Sequence, residues 1–134
     1  MAFEESLRSI SLAADATLAG YTGVPGLPGS ANPNSGKQYR FVKVTGEAQV
    51  GLADADDGAV IGVLQNKPQV TGAAATVAIR GVSFVVAGGT VHAGDPVCPK
   101  DTDGTAIAWS AGKTVAGTAL TGGASGELIS VLLV

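Results

Sequence analysis

The chain is 134 residues long, carries a formal net charge of −3, and is 46% hydrophobic, 14% charged and 4% aromatic. That length fits one domain with an extension and buries about two-thirds of its unfolded surface, so neither disulfides nor a metal are needed for folding. The aliphatic content excludes a disordered tail, and the thin spread of eight Lys and Arg excludes the concentrated positive field that nucleic-acid binding needs.

So few charged side chains also imply that other copies or a partner cover part of the surface. No segment is long and apolar enough to span a bilayer as a helix. Glu4 and Glu5 stand where a signal peptide would be basic, and no continuous apolar stretch follows, so synthesis and folding in a cytoplasm are expected. The lone cysteine, Cys98, reads as a small core hydrophobe.

Residues 1–20 carry two competing patterns. Phe3, Leu7, Ile10 and Ala14 repeat at helical spacing, whereas Ile10, Leu12, Ala14, Ala16 and Leu18 alternate with Ser9, Ser11, Ala13, Asp15 and Thr17 at strand spacing. A short turn followed by an extended arm is expected, with an apolar face that needs something to lie on. Residues 21–36 follow as a linker, because Pro25, Pro28, Pro33 and the intervening glycines block both helix and ladder pairing. A semi-rigid tether carrying the arm away from the core is expected there. On this division, deletion of residues 1–20 leaves a folded domain.

Residues 37–134 read as an all-β domain of short Val-, Ile- and Thr-rich runs. Strands are expected near Tyr39–Val44, Ala48–Leu52, Val60–Leu64, Ala75–Arg80, Val82–Ala87, Pro96–Cys98, Ala106–Trp109, Thr114–Leu120 and Glu127–Val134. Turns are marked by Asp56-Asp57-Gly58, Gly88-Gly89, Gly94-Asp95, Asp103-Gly104 and Gly122-Gly123, with Asp103-Gly104 suited to a two-residue hairpin. Val60–Leu64 and Val115–Leu120 form a weak internal echo, compatible with a pseudo-repeated barrel. Trp109 and Phe84 are expected in the core, while Tyr21 and Tyr39 fit either core or interface.

Catalytic chemistry finds no foothold in the pattern. His92 is the sole histidine, and no Gly-x-Ser-x-Gly elbow accompanies it. One histidine and one cysteine cannot make a zinc site without at least two carboxylates. Asn34–Gln38 fails as a phosphate loop, because Ala31 replaces the first glycine and Gln38 the magnesium-binding hydroxyl. Asp54–Gly58 and Asp101–Gly104 lack the glycine and glutamate of helix-flanked calcium loops and read as acidic turns. No catalytic residue, cofactor or metal is therefore expected.

Gly81–Ala87, then Val91-His-Ala-Gly94-Asp95-Pro96-Val97, Asp103–Ala106, Val115–Leu120 and Ala124–Leu133 follow one another in an order that resembles the capsid cement (head decoration) proteins of tailed bacteriophages. The likeness runs from about Phe41 to Val134 and rests on turn-and-strand patterns, with Val60–Leu64 upstream. It implies a small β-barrel or β-tulip-like domain on the outside of the mature head, with the major capsid protein as partner. It also implies a homotrimer at three-fold and quasi-three-fold sites that holds neighbouring capsid subunits together. Phe3, Leu7, Ile10, Leu12 and Leu18 are then the expected capsid contacts of the arm. The alternative for the arm is that it packs back on its own barrel. Rival functions are a tail or baseplate β-module, and a carrier or β-clip-type binding module with Lys100 as its only candidate attachment point.

Overall fold

The computed structural model of the protein describes residues 7–18, 37–54, 60–68, 70–100 and 103–133. Among these residues ten strands form and no helix: β1 (Arg8–Ala14), β2 (Phe41–Gly46), β3 (Gln49–Leu52), β4 (Val60–Leu64), β5 (Ala74–Arg80), β6 (Val82–Val86), β7 (Pro96–Pro99), β8 (Ala106–Ala108), β9 (Gly117–Ala119) and β10 (Leu128–Leu133). They make a closed barrel in the order β1-β3-β2-β4-β5 and a five-stranded sheet in the order β6-β10-β9-β7-β8. The expected all-β barrel is the observed architecture. The expected linker, residues 21–36, and the acidic turn at 56–58 lie outside the described residues.

β1 corrects the expectation of a projecting arm. It runs antiparallel to β5 and, at Ala13 and Ala14, parallel to β3, so it is the strand that closes the barrel. Ile10 and Leu12 stand opposite Val77 and Ala75; Leu12 and Ala14 turn towards the lumen core, while Ile10, nearer the rim, stays exposed. The physical reason is supply: β3 and β5 would otherwise leave open edges above an apolar lumen, and this segment provides both ladder and side chains. Beyond β1, Asp15 accepts hydrogen bonds from the Thr17 N–H (2.8 Å) and, across the barrel, from the Thr45 hydroxyl (2.7 Å). The Thr17 hydroxyl in turn accepts the Leu52 N–H (2.9 Å), fastening the exit of β1 to β2 and β3.

Two cores result. Ala14, Leu18, Val42, Val50, Leu64, Ala75 and Val77, drawn from β1 to β5 and the turn after β1, fill the lumen. Phe41, Val63 and Ala78, their immediate chain neighbours on β2, β4 and β5, point the other way and pack against Val85, Val97, Ile129 and Val131 of the second sheet. These three barrel strands are therefore buried on both faces, which explains why they read as consecutive apolar pairs and not as alternation.

The second sheet has an internal pseudo-two-fold, relating residue i to i+32 (Gly94 to Gly126, for example). The Gly94 N–H donates to Ala119 O and the Gly126 N–H to Ala87 O, each at 2.7 Å. Val91 and Gly123 exchange both backbone bonds at 2.9 Å. Each half opens its second strand from the same tight turn. His92–Asp95 and Ala124–Glu127 close with a 3.0 Å backbone bond, place glycine at φ 92° and 89°, and use the acid side chain to accept the first residue's N–H. Positive φ at the third position demands glycine there. The structural repeat is thus 87–98 against 119–130. The echo between Val60–Leu64 and Val115–Leu120 is not structural, since β4 lies in the barrel and β9 in the second sheet.

Two further expectations are corrected. Asp103-Gly104 does not make a two-residue hairpin: Lys100 pairs with Thr105 around a wider loop, because Asp103 accepts both the N–H and the hydroxyl of Thr105 while Gly104 O accepts the Phe41 N–H. Trp109 is exposed, its indole N–H donating to Lys113 O (2.7 Å) across the turn after β8. Finally, Leu133 donates to Gly81 O (2.9 Å) and Arg8 faces Arg80, so both ends of the β-structure meet at the β5–β6 junction.

Candidate interaction surface

The outward face of β6 and β10 gathers the largest exposed apolar side chains of the second sheet. Register pairs Val82 with Leu132, Phe84 with Ser130 and Val86 with Leu128, all on the side away from the core. Phe84 keeps 53% of its surface exposed, Leu128 50% and Leu132 42%. Phe84 was expected in the core. Its neighbours Ser83 and Val85 are the buried residues of β6, and strand alternation sends Phe84 outward. The alternation could have been read from Ser83-Phe84-Val85, but a serine facing inward obscured it. Ser83 is tolerated there because its hydroxyl donates to Phe84 O and accepts from Gln65 Nε2, both at 2.9 Å.

Tyr39 supports Phe84 edge-on, with ring centroids 5.9 Å apart at 72°. Tyr39 itself has φ 64°, a costly conformation for a side-chain-bearing residue. Two backbone bonds hold it there: its N–H donates to Leu64 O of β4 (2.7 Å), and its carbonyl accepts from Val86 of β6 (2.8 Å). Strand alternation then directs the N–H groups of Val82 and Phe84 the same way as that of Val86, outward from the sheet edge. Beside them lies a hollow of ≈ 170 Å³ lined by Val82, Ser83, Phe84 and Ser130.

The residues expected as arm contacts divide. Leu7 and Ile10 are exposed, while Leu12 is half-buried against the lumen. Leu18 is fully buried in the lumen core, so it is unavailable to a partner. Phe3 lies outside the described residues. Arg8 and Arg80, directly opposed at the rim, add a local positive charge beside Leu7.

Elsewhere the surface offers little chemistry. Among the described residues no three His, Cys, Asp or Glu side chains converge as metal ligands. His92 is exposed in its turn, Cys98 is buried in β7, and Lys100 reaches the Gly88 carbonyl at 3.4 Å. A cleft of ≈ 140 Å³ between the barrel and the second sheet is lined by Phe41, Gly62, Ile79, Val115 and other apolar residues. It carries no ionisable side chain and is smaller than the roughly 300 Å³ of small-molecule sites. Burial alone would raise the pKa of Asp103, but the Thr105 hydroxyl and N–H, aided by Arg40 and Lys100, bring it below the ordinary value.

No protein-family model matches the chain, and no curated protein matches it in sequence. Among solved structures it is similar to the N base of the head fiber gp8.5 of bacteriophage phi29. The likeness has a TM-score of 0.62 at 17% identity and covers 96% of this chain and 95% of that one. At that identity the shared property is the fold.

Proposed function

We infer that this chain is a structural protein of a phage head, one that binds the outside of the mature head and stabilises contacts between major capsid subunits. The observation that carries the reading is the end-to-end likeness in fold to the base of a phage head fiber. The residue pattern from Gly81 to Leu133, which resembles head decoration proteins, points the same way without depending on that likeness.

In this reading the protein works by binding and not by catalysis. It is made in the host cytoplasm, ends on the virion's outer surface, and associates with itself, as a homotrimer at three-fold and quasi-three-fold sites, and with the major capsid protein. Leu7 and Ile10 replace the five-residue arm as the N-terminal contacts with the capsid, since they are exposed where Leu18 is not. Apolar contacts of this size gain strength through several copies acting at once.

The test is co-sedimentation of the purified protein with undecorated heads, expanded and unexpanded. Saturable binding in multiples of three per local three-fold site is expected. A well-folded protein that binds neither form overturns the reading and directs attention to tail assemblies.

A further inference from the structure

We propose that the β6–β10 face is the surface through which copies of this chain associate, each copy seating Phe84 against the same face of another. This rests on the self-association in the function proposed above, and not on its head-binding part. Three alternate cross-strand pairs present Val82, Leu132, Phe84, Val86 and Leu128 outward, with the nearly buried Ser130 the only polar member. A partner surface must therefore be apolar and free of charge. The chain's own β6–β10 face has that character.

Shape agrees with chemistry. Phe84 projects from the face, and the hollow of ≈ 170 Å³ beside it, lined by Val82, Ser83, Phe84 and Ser130, accepts an apolar side chain. Knob and hollow thus lie on one surface, so each copy can both offer and accept the same contact. Tyr39 holds the knob in place through its edge-on contact, so little side-chain freedom is left to lose on binding.

Area sets what else is needed. Of the outward apolar side chains only Phe84, Leu128 and Leu132 are more than a third exposed, so the patch is small. A standard interface takes about 800 Å² from each partner, so the face alone is insufficient. β6 supplies the remainder. It is the edge strand of its sheet, and among the described residues the N–H groups of Val82 and Phe84 have no backbone partner on that side. Docking along this edge adds main-chain hydrogen bonds to the apolar contact.

The experiment is sedimentation equilibrium on the full chain, compared with Phe84→Glu and, separately, Leu132→Glu, each checked for an unchanged cooperative melt. The expected result is a wild-type mass that is a multiple of the 13.1 kDa chain, falling to a single chain in both variants. That result stands whether or not the protein binds heads, so it separates this proposal from the head-binding reading. A monomeric wild type overturns the proposal, as does an assembly that survives both substitutions. A monomer that binds heads and loses that binding with Phe84→Glu assigns the face to the capsid instead, and also overturns it.

Discussion

The hydroxyl of Thr45, on β2, donates to Oδ2 of Asp15 at 2.7 Å, joining the exit of β1 to the opposite side of the barrel mouth. The other carboxylate oxygen of Asp15 takes the Thr17 N–H, so a single side chain ends β1 and anchors it. Asp15→Ala is expected to lower stability by about 1–1.5 kcal/mol, since its donors are exposed and water takes over part of the lost bonds. Thr45→Val, which removes one exposed bond only, should cost about 0.5 kcal/mol. Urea titrations of the two variants check the order.

Removal of residues 1–18 is expected to prevent cooperative folding, against the sequence expectation of an independent domain from residue 37. The deletion takes away the strand between β3 and β5 together with Ala14 and Leu18 of the lumen core. Leu18→Ala alone should cost about 2–5 kcal/mol, as for other fully buried leucines. A truncated chain that melts with wild-type sharpness would remove β1 from the barrel.

Legibility varied with burial. Every strand of residues 37–134 is foreshadowed by a Val- and Ile-rich run bounded by Gly, Asp or Pro, though not its ends: β2 begins at Phe41, beyond the positive-φ Tyr39. Val60–Leu64 has the predicted bounds, whereas Thr114–Leu120 shrinks to Gly117–Ala119. What the sequence did not reveal was partner choice. The alternation of Ile10, Leu12 and Ala14 announces a strand with one apolar face, but β1 meets its neighbours across more than thirty intervening residues, and nothing local says whether they belong to the same molecule. The candidate surface was hidden for a related reason. Phe84 stands in an unbroken apolar run, Val82 to Val86 with one serine, where the strand is apolar on both faces. The i+32 repeat is faint in the sequence because its signal is a turn, Gly94-Asp95 against Gly126-Glu127, and not a hydrophobic pattern.

Gly62→Ala is expected to be among the most disruptive single-methyl changes in the barrel. An added Cβ would overlap the Ala78 carbonyl oxygen of the adjoining strand, which is backbone and cannot swing away. A loss of about 3 kcal/mol or more is expected, against about 1 kcal/mol at Gly72, where φ is +91° but nothing lies within 4 Å. Thermal melts of the two variants should separate clearly, and equal melts would contradict the close β4–β5 approach.

Asp103 gives an acid-dependent signature. Its pKa in the folded chain lies below 3.8, so the unfolded chain binds the proton first as pH falls. Its contribution is therefore complete above 3.8 and is lost as pH drops through the lower, folded value. The melting temperature of wild type should exceed that of Asp103→Asn at neutral pH, and the gap should close below 3.8. A gap that stays constant with pH would show that the carboxylate charge plays no part.

The meeting of Arg8 with Arg80, and of Leu133 with Gly81, fixes how the molecule is wired to anything beyond its β-structure. The chain enters β1 and leaves β10 at one corner. The same closeness makes the order of the strands along the chain dispensable: a permutant that bridges the two ends and opens at the exposed 110–112 turn retains the described strand pairings.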